Sequence, residues 1–424
     1  MKHTGKFWFG GWALAVWFAA ASLLAGFPTA AQAAEKPIKI GFSMALTGGL
    51  AAGGKAALLA MQIWAEDVNK KGGLLGRPVE LVFYDDQTKP ANVPTIYTKL
   101  LDVDKVDFVV SPYGTNMTAP AMPIVMERKL TFISLFALAI NEKFNYPYYF
   151  GSMPTGPKPY DDWSTGFFEV AAAQNPKPRT VALVGADAEY PVNALTGARK
   201  NIQKHGFRIV YDKRYPPATT DYTPIARAIK AVNPDIVYVA SYPPDTVGMI
   251  KASKEVNLKP KIFGGGMVGL QFTPIQQNLG VALNGIVNYH TWVPEPTLMF
   301  PGIGDFFKKY KPRAVAEKLD PLGYYLPPLA YAYLEVLAQA IEATKSLDQK
   351  MVGEYIRKTE FSTIAGKIKF ATNGEWAKSR MLMTQFQNIK SGDLEEFSKP
   401  GKMVVLSPEE FKSGKLIYPF QGWK

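Results

Sequence analysis

The chain has 424 residues, 47% of them hydrophobic, 13% aromatic and 20% charged, with a formal net charge of +12. That length suits two or three domains of roughly 100–200 residues each, and the apolar share argues against global disorder. The absence of cysteine and a count of only three histidines exclude a disulfide scaffold, a thiol nucleophile, an iron–sulfur cluster and a zinc–thiolate site.

In chain order the first element is a leader. Lys2 and Lys6 make a basic start, no charge occurs from Phe7 to Ala34, and Ala31-Gln32-Ala33 supplies the small residues that signal peptidase reads. The expectation is a cleaved signal peptide over 1–33. An uncleaved anchor is the alternative, since about 20 apolar residues can span a bilayer. Without cysteine there is no residue for lipid attachment, so the mature chain is expected free in the periplasm.

The rest alternates strand and helix. Ile38–Met44 reads as a strand ending in Thr47-Gly48-Gly49. A helix follows, with Leu58, Met61, Ala65 and Val68 at helical spacing, closed by Lys70-Lys71-Gly72-Gly73. Strands are expected at 79–84, 106–110 and 130–134, with helices at 92–101 and 118–128 between them. Pro154-Thr155-Gly156-Pro157-Lys158-Pro159 punctuates a crossing, after which a second series begins. Its helices are expected at 160–173, 192–205, 224–232 (with Ile225, Ile229 and Val232 as the buried stripe) and 244–256. Its strands are expected at 180–184, 208–211, 236–240 and 261–263. Beyond 285 the pattern shows a helix at 326–344 and a late strand pair around 364–370 and 381–389. The fold class is α/β, two doubly wound lobes in tandem. The expected division is 34–155 plus about 290–360 for the first lobe, 156–289 plus about 361–395 for the second, and 396–424 as a C-terminal extension. Ligands of such sheets bind outside the carboxyl ends of the strands, and a cleft between two lobes can close by a hinge.

Catalytic motifs are mostly missing. There is no G-x-S-x-G elbow, no G-x-x-x-x-G-K-[ST] loop and no H-E-x-x-H. Gly48, Gly49, Gly53 and Gly54 have the wrong spacing for a dinucleotide loop. Asp85-Asp86 reads as a capping pair rather than a metal site, and His205 as a helix-end residue. Lys and Arg are dispersed, which points away from nucleic acid and towards mild steering of anions. No cofactor is expected.

The run Val68-Asn69-Lys70-Lys71-Gly72-Gly73-Leu74-Leu75-Gly76-Arg77-Pro78-Val79-Glu80-Leu81, followed by Tyr84-Asp85-Asp86, resembles the periplasmic solute-binding proteins of branched-chain amino-acid-type ABC importers, the leucine/isoleucine/valine-binding family. Asp221-Tyr222-Thr223-Pro224 and Leu46-Thr47-Gly48 fit the same family. The resemblance spans essentially the whole mature chain. It implies two Rossmann-like lobes joined by three hinge crossings, a non-enzymatic role, and a monomer that delivers a small molecule to an inner-membrane permease with ATPase subunits. A sensory receptor with the same fold and, more remotely, a periplasmic enzyme are the alternatives.

The resemblance also implies ligand contacts. The loop Ser111-Pro112-Tyr113-Gly114-Thr115-Asn116 is where the family holds the ligand carboxylate, with Thr115 in the hydroxyl role beside Tyr113 and Gly114; Thr47 accompanies it on the first lobe. Tyr190 and Tyr242 match second-lobe cleft positions. The ammonium-binding half departs from the pattern. In Ser134-Leu135-Phe136-Ala137-Leu138, Leu138 stands where the family has threonine, and Gly266, before Met267, stands where it has an acid. Burying an ammonium without that partner costs several kcal/mol, against about 8 kcal/mol for a whole micromolar ligand. The expectation is therefore a ligand without an α-amino group, its apolar or aromatic body held by Phe136, Leu138, Met267, Tyr113 and Trp292, with Ala137 also counted among the ligand-binding residues. The alternative is that Glu189 or Asp187 supplies the acid.

Overall fold

The computed structural model describes residues 36–423. The expected leader over 1–33, with its cleavage point, lies outside the described residues.

The first series runs β1 (Ile38–Met44), α1 (Ala51–Lys70), β2 (Val79–Asp85), α2 (Val93–Asp102), β3 (Phe108–Val110), α3 (Thr115–Thr118), α4 (Met122–Glu127), β4 (Phe132–Ser134), α5 (Asn141–Phe144) and β5 (Tyr149–Gly151). Its five strands pair in parallel in the order β2-β1-β3-β4-β5. Phe108, Val109 and Val110 are all buried, as a central parallel strand covered on both faces requires. The order reverses between β1 and β3, so the crevice beyond their carboxyl ends is the natural ligand position.

The second series runs α6 (Pro159–Ala172), β6 (Thr180–Ala186), α7 (Glu189–Lys204), β7 (Arg208–Tyr215), α8 (Thr223–Ala231), β8 (Ile236–Ser241), α9 (Pro243–Glu255), β9 (Ile262–Met267), α10 (Thr273–Leu279) and β10 (Val287–His290). The chain continues through α11 (Ile303–Ala316), α12 (Pro327–Thr344), α13 (Gln349–Lys358), β11 (Glu360–Thr363), β12 (Gly366–Lys369), β13 (Leu382–Phe386), α14 (Leu394–Ser398) and β14 (Met403–Ser407). The second sheet has seven strands in the order β14-β13-β10-β9-β8-β6-β7. Its parallel part repeats the winding of the first sheet, and β13 and β14 add an antiparallel edge.

After β10 the chain returns to the first series. Helix α12 packs on α1, where the Tyr333 hydroxyl meets Met61 Sδ at 3.4 Å and Glu342 accepts the Leu75 amide at 2.6 Å. Helix α11 reaches α1 through Lys309–Asp67 and Arg313–Glu66 ion pairs. This double cover explains why α1 is buried far beyond a single stripe: Met61, Ile63, Trp64 and Ala65 are all buried. The turn after α1 shows why its sequence reads Gly-Gly. Gly73 sits at φ +80°, and a Cβ there would lie 1.9 Å from the Arg77 carbonyl, because Leu74 and Arg77 exchange backbone bonds at 2.9 Å.

Several expectations need correction. The helix placed at 118–128 starts at Thr115 and is broken into short pieces where Pro120 and Pro123 remove backbone donors. The late strand segments do not pair with each other: β12 pairs with β11, and β13 joins the second sheet beside β10. On α8 the buried residues are Ala226 and Ile229, while Val232, past the helix end, is 40% exposed. The segment read as a C-terminal extension carries β14, the outer strand of the second sheet. Among the described residues no helix is long and apolar enough to cross a membrane.

Candidate functional site

The loop after β3 sets the first wall. Gly114, at φ +99° and ψ 150°, turns the chain so that Thr115 opens α3. The buried Thr115 Oγ1 accepts the Leu138 amide at 3.0 Å, and Ser111 Oγ accepts the Leu135 amide at 2.6 Å. The loops after β3 and β4 are thereby fixed to each other. A hydroxyl that accepts one bond still has its hydrogen to donate, so Thr115 keeps a donor for a ligand.

The second wall comes from the starts of α7 and α9, and hydrogen bonds join it to the first. Asn116 Oδ1 accepts the Tyr242 hydroxyl at 2.5 Å and the Tyr190 amide at 3.2 Å. Asn193 Nδ2 donates to the Leu138 carbonyl at 3.0 Å. The Tyr190 hydroxyl turns inward and donates to the Gly266 carbonyl at 2.6 Å.

Between the walls lies an aromatic cluster. Phe136, itself at φ +55°, stands 5.0 Å from Tyr325 and 6.3 Å from both Trp163 and Tyr289, ring centroid to centroid. Trp163 lies 4.4 Å from Tyr289 and 5.6 Å from Tyr190, and Tyr113 and Tyr325 meet edge-on at 6.1 Å. Hydroxyls of Tyr113 and Tyr289 approach that of Tyr325 at 3.4 and 3.3 Å. Burial pushes all of these phenols above their ordinary value, so each keeps its proton as a donor.

The cavity here measures about 10 Å³, room for about one water. Tyr113, Gly114, Thr115, Phe136, Tyr190 and Tyr242 line it, joined by Met153, Val268 and Tyr325. No ionisable acid or base other than the tyrosines is among them. Six of the residues singled out from sequence thus meet at one point. The others do not line it. Thr47 is exposed and donates to Asp85 Oδ2 at 2.7 Å. Ala137 and Leu138 are buried behind Phe136, and Leu138 contributes only its backbone. Met267 is buried outside the lining, its amide and carbonyl both held by the Asn288 side chain. Trp292 packs against Phe307 and Tyr324 and donates to the Leu298 carbonyl, so its place is in the core.

Gly266 explains the missing acid. Its backbone is not left-handed, but a Cβ there would stand 2.6 Å from Tyr190 Oη and 3.0 Å from Trp163 Nε1. Trp163 and Tyr190 fill the room a side chain would need. Of the alternative acids, Asp187 pairs with Arg214 at 2.8 Å on the surface, and Glu189 does not line the cavity. Asp85 and Asp86 cap their turn through the amides of Leu46, Thr47, Gln87 and Thr88. Among the described residues no cluster of three metal-ligating side chains occurs. His205 ends α7, as its spacing suggests. A larger recess, about 1080 Å³, shares no residue with the cavity, and Lys309–Asp67, Lys367–Glu360 and Lys378–Glu410 ion pairs occupy its walls.

Trp163, Tyr289, Tyr325, Met153 and Asn193 escape sequence reasoning. They come from α6, β10, the approach to α12, the crossing after β5, and α7, and only the fold gathers them. Asn116 stands inside the loop that sequence did single out.

Comparison with known proteins agrees with this architecture. The family model described as "Periplasmic binding protein" matches residues 37–393. A relative from Pseudomonas aeruginosa, the leucine-, isoleucine-, valine-, threonine- and alanine-binding protein, is 26% identical over 84% of this chain and 91% of its own. The leucine-binding protein LivK of Thermotoga maritima is similar in structure, with TM-score 0.72, 21% identity and coverage of 84% of this chain and 96% of that one. A Rhodopseudomonas palustris ABC-transporter solute-binding protein, solved with p-hydroxybenzoic acid, has TM-score 0.74, 20% identity and coverage of 90% and 98%. The two windings seen here are the type I periplasmic binding protein fold. The chain belongs to the periplasmic binding protein family, alongside the leucine/isoleucine/valine-binding proteins, a family that binds small-molecule ligands.

Proposed function

We propose that this protein works in the periplasm as the receptor of an ABC importer. It captures a small carboxylate with an apolar or aromatic body between the loops of the two sheets. It then delivers the ligand, as a monomer, to an inner-membrane permease served by ATPase subunits. The observation that carries the ligand class is at Gly266: among the described residues no carboxylate lines the inner cavity, and the packing of Trp163 and Tyr190 leaves no space for one at that position. An α-ammonium enclosed there has no counter-charge, a cost of several kcal/mol. The Thr115 hydroxyl and the amides opening α3 suit a carboxylate, and the surrounding rings suit an apolar body. The named specificities of the relatives divide in the same way, one for aliphatic amino acids and one for p-hydroxybenzoic acid. The cleft chemistry of this chain favours the second.

A thermal-shift panel of aryl and alkyl monocarboxylates against the aliphatic amino acids tests the reading. The expected result is that a monocarboxylate gives the largest rise in melting temperature. A clear win for leucine rejects the ligand class.

A further inference from the structure

Past the Asn116–Tyr242 hydrogen bond the space between the two sheets opens again. A recess of about 340 Å³ lies there, walled by Leu50, Pro90 and Met117 from the first series and by Ala186, Pro217 and Tyr222 from the second. That volume falls within the roughly 300–1,000 Å³ of small-molecule sites, whereas the inner cavity at Thr115 holds about 10 Å³. Tyr242 lines both spaces, Asn116 lines the recess, and the 2.5 Å bond between their side chains is the partition. Rotation of the Asn116 and Tyr242 side chains opens such a partition, and Asn116 Oδ1 gives up the Tyr190 amide as it turns.

We infer that the ligand passes through this partition, its carboxylate at Thr115 and an extended, uncharged apolar tail in the outer recess. This rests on the carboxylate reading and adds the tail to it. The walls carry the chemistry. Leu50, Met117, Ala186 and three prolines (Pro90, Pro217 and Pro244) give an apolar lining. The hydroxyls of Thr88 and Thr219 are engaged on backbone carbonyls, at 2.7 Å each. The single ionisable acid on the walls is Asp245 in the first turn of α9, 6% exposed and bonded by the Tyr215 hydroxyl at 2.5 Å. Among the described residues no basic side chain lines the recess to balance it, so a second carboxylate at the end of the tail is disfavoured. The ligand is thus a monocarboxylate longer than the inner cavity, which accounts for a first site too small for any ring together with a larger one beside it.

Isothermal titration with benzoate and 4-phenylbutyrate, and with octanoate and octanedioate, tests this on the full mature chain. Ala186→Trp and Thr219→Trp each fill the recess from a different element, and thermal melting shows which of them is folded. The expected result is that wild type binds 4-phenylbutyrate at least tenfold tighter than benzoate, and octanoate at least tenfold tighter than octanedioate. The 4-phenylbutyrate advantage disappears in the folded Trp variants. Wild type that binds benzoate and 4-phenylbutyrate equally, or an advantage that survives in both variants, overturns the two-compartment site alone. Equal binding of octanoate and octanedioate overturns the uncharged tail. Wild type that binds none of the four acids overturns the carboxylate reading itself.

Discussion

Gly266→Ala isolates the packing that denies this cleft an acid. The added methyl meets no backbone obstacle, because Gly266 is not at positive φ, and a Gly→Ala change at such a position stabilises by about 0.4–1 kcal/mol through the unfolded chain. Against that, the new Cβ would stand 2.6 Å from Tyr190 Oη and 3.0 Å from Trp163 Nε1, both on buried rings packed 5.6 Å apart. Overpacking of this kind costs about 1–3 kcal/mol, and expelling the Tyr190 hydroxyl from the Gly266 carbonyl adds about 0.5–1.5 kcal/mol. The net expectation is a loss of about 0.5–4 kcal/mol. Tyr190→Phe removes the atom at 2.6 Å, so the double variant should be more stable than the sum of the singles by about 0.5–3 kcal/mol. Urea unfolding of the four proteins in a double-mutant cycle measures this. Strict additivity, or a Gly266→Ala variant as stable as wild type, refutes the idea that tyrosine and tryptophan exclude a side chain from this position.

Other expectations are as direct. Thr115→Ala strands the buried Leu138 amide and removes the proposed carboxylate donor. Stability and ligand affinity each fall by about 1–3 kcal/mol, read by unfolding and by titration, and unchanged affinity removes Thr115 from the site. Asn116→Ala deletes the acceptor shared by Tyr242 and Tyr190. The radius of gyration of the unliganded protein should rise in small-angle scattering, and an unchanged value shows that Asn116 does not hold the walls together. Glu375 is fully buried; burial, with the charge of Glu142 adding to it, pushes its carboxyl up from 4.5 to about 8. Between those values the native state keeps a proton that the unfolded chain has lost, so stability falls as pH rises through that window. Glu375→Gln should remove this fall and gain on wild type from pH 5 to pH 8 in urea unfolding. Parallel pH curves contradict it. His290, pushed down to about 3 by burial, acts in the opposite sense below 6.5 in both proteins and cancels from the comparison.

Much of the alternation of strand and helix was legible because strands such as β1, β3, β6 and β8 are short apolar runs bounded by Gly, Pro or Asp, and α1 repeats at helical spacing, whereas α11 and α13 were not read. Gly72-Gly73 was legible for a steric reason, since no side chain fits at Gly73. The short strands β5 and β10 were not. β3 and β4 are as short but stand in apolar runs, whereas β5 reads Tyr-Phe-Gly and β10 Val-Asn-Tyr-His, and their pairing depends on neighbours remote in sequence. The antiparallel edge made by β13 and β14 was hidden in the same way. At the site, the loop after β3 was singled out by the family resemblance, and Gly114 and Thr115 from it line the inner cavity. Trp163 and Trp292 were indistinguishable as letters. Packing places one beside Gly266 and the other against Phe307, and only contacts across the fold make that choice.

On the proposed function, the cleft selects against an α-ammonium. 3-Phenylpropionate and phenylalanine differ by that group alone, so their titration into the mature protein tests the claim with ring and carboxylate held constant. An uncompensated buried ammonium predicts that 3-phenylpropionate binds tighter by about 100-fold or more, roughly 3 kcal/mol. Phenylalanine binding as tightly or tighter would contradict the account.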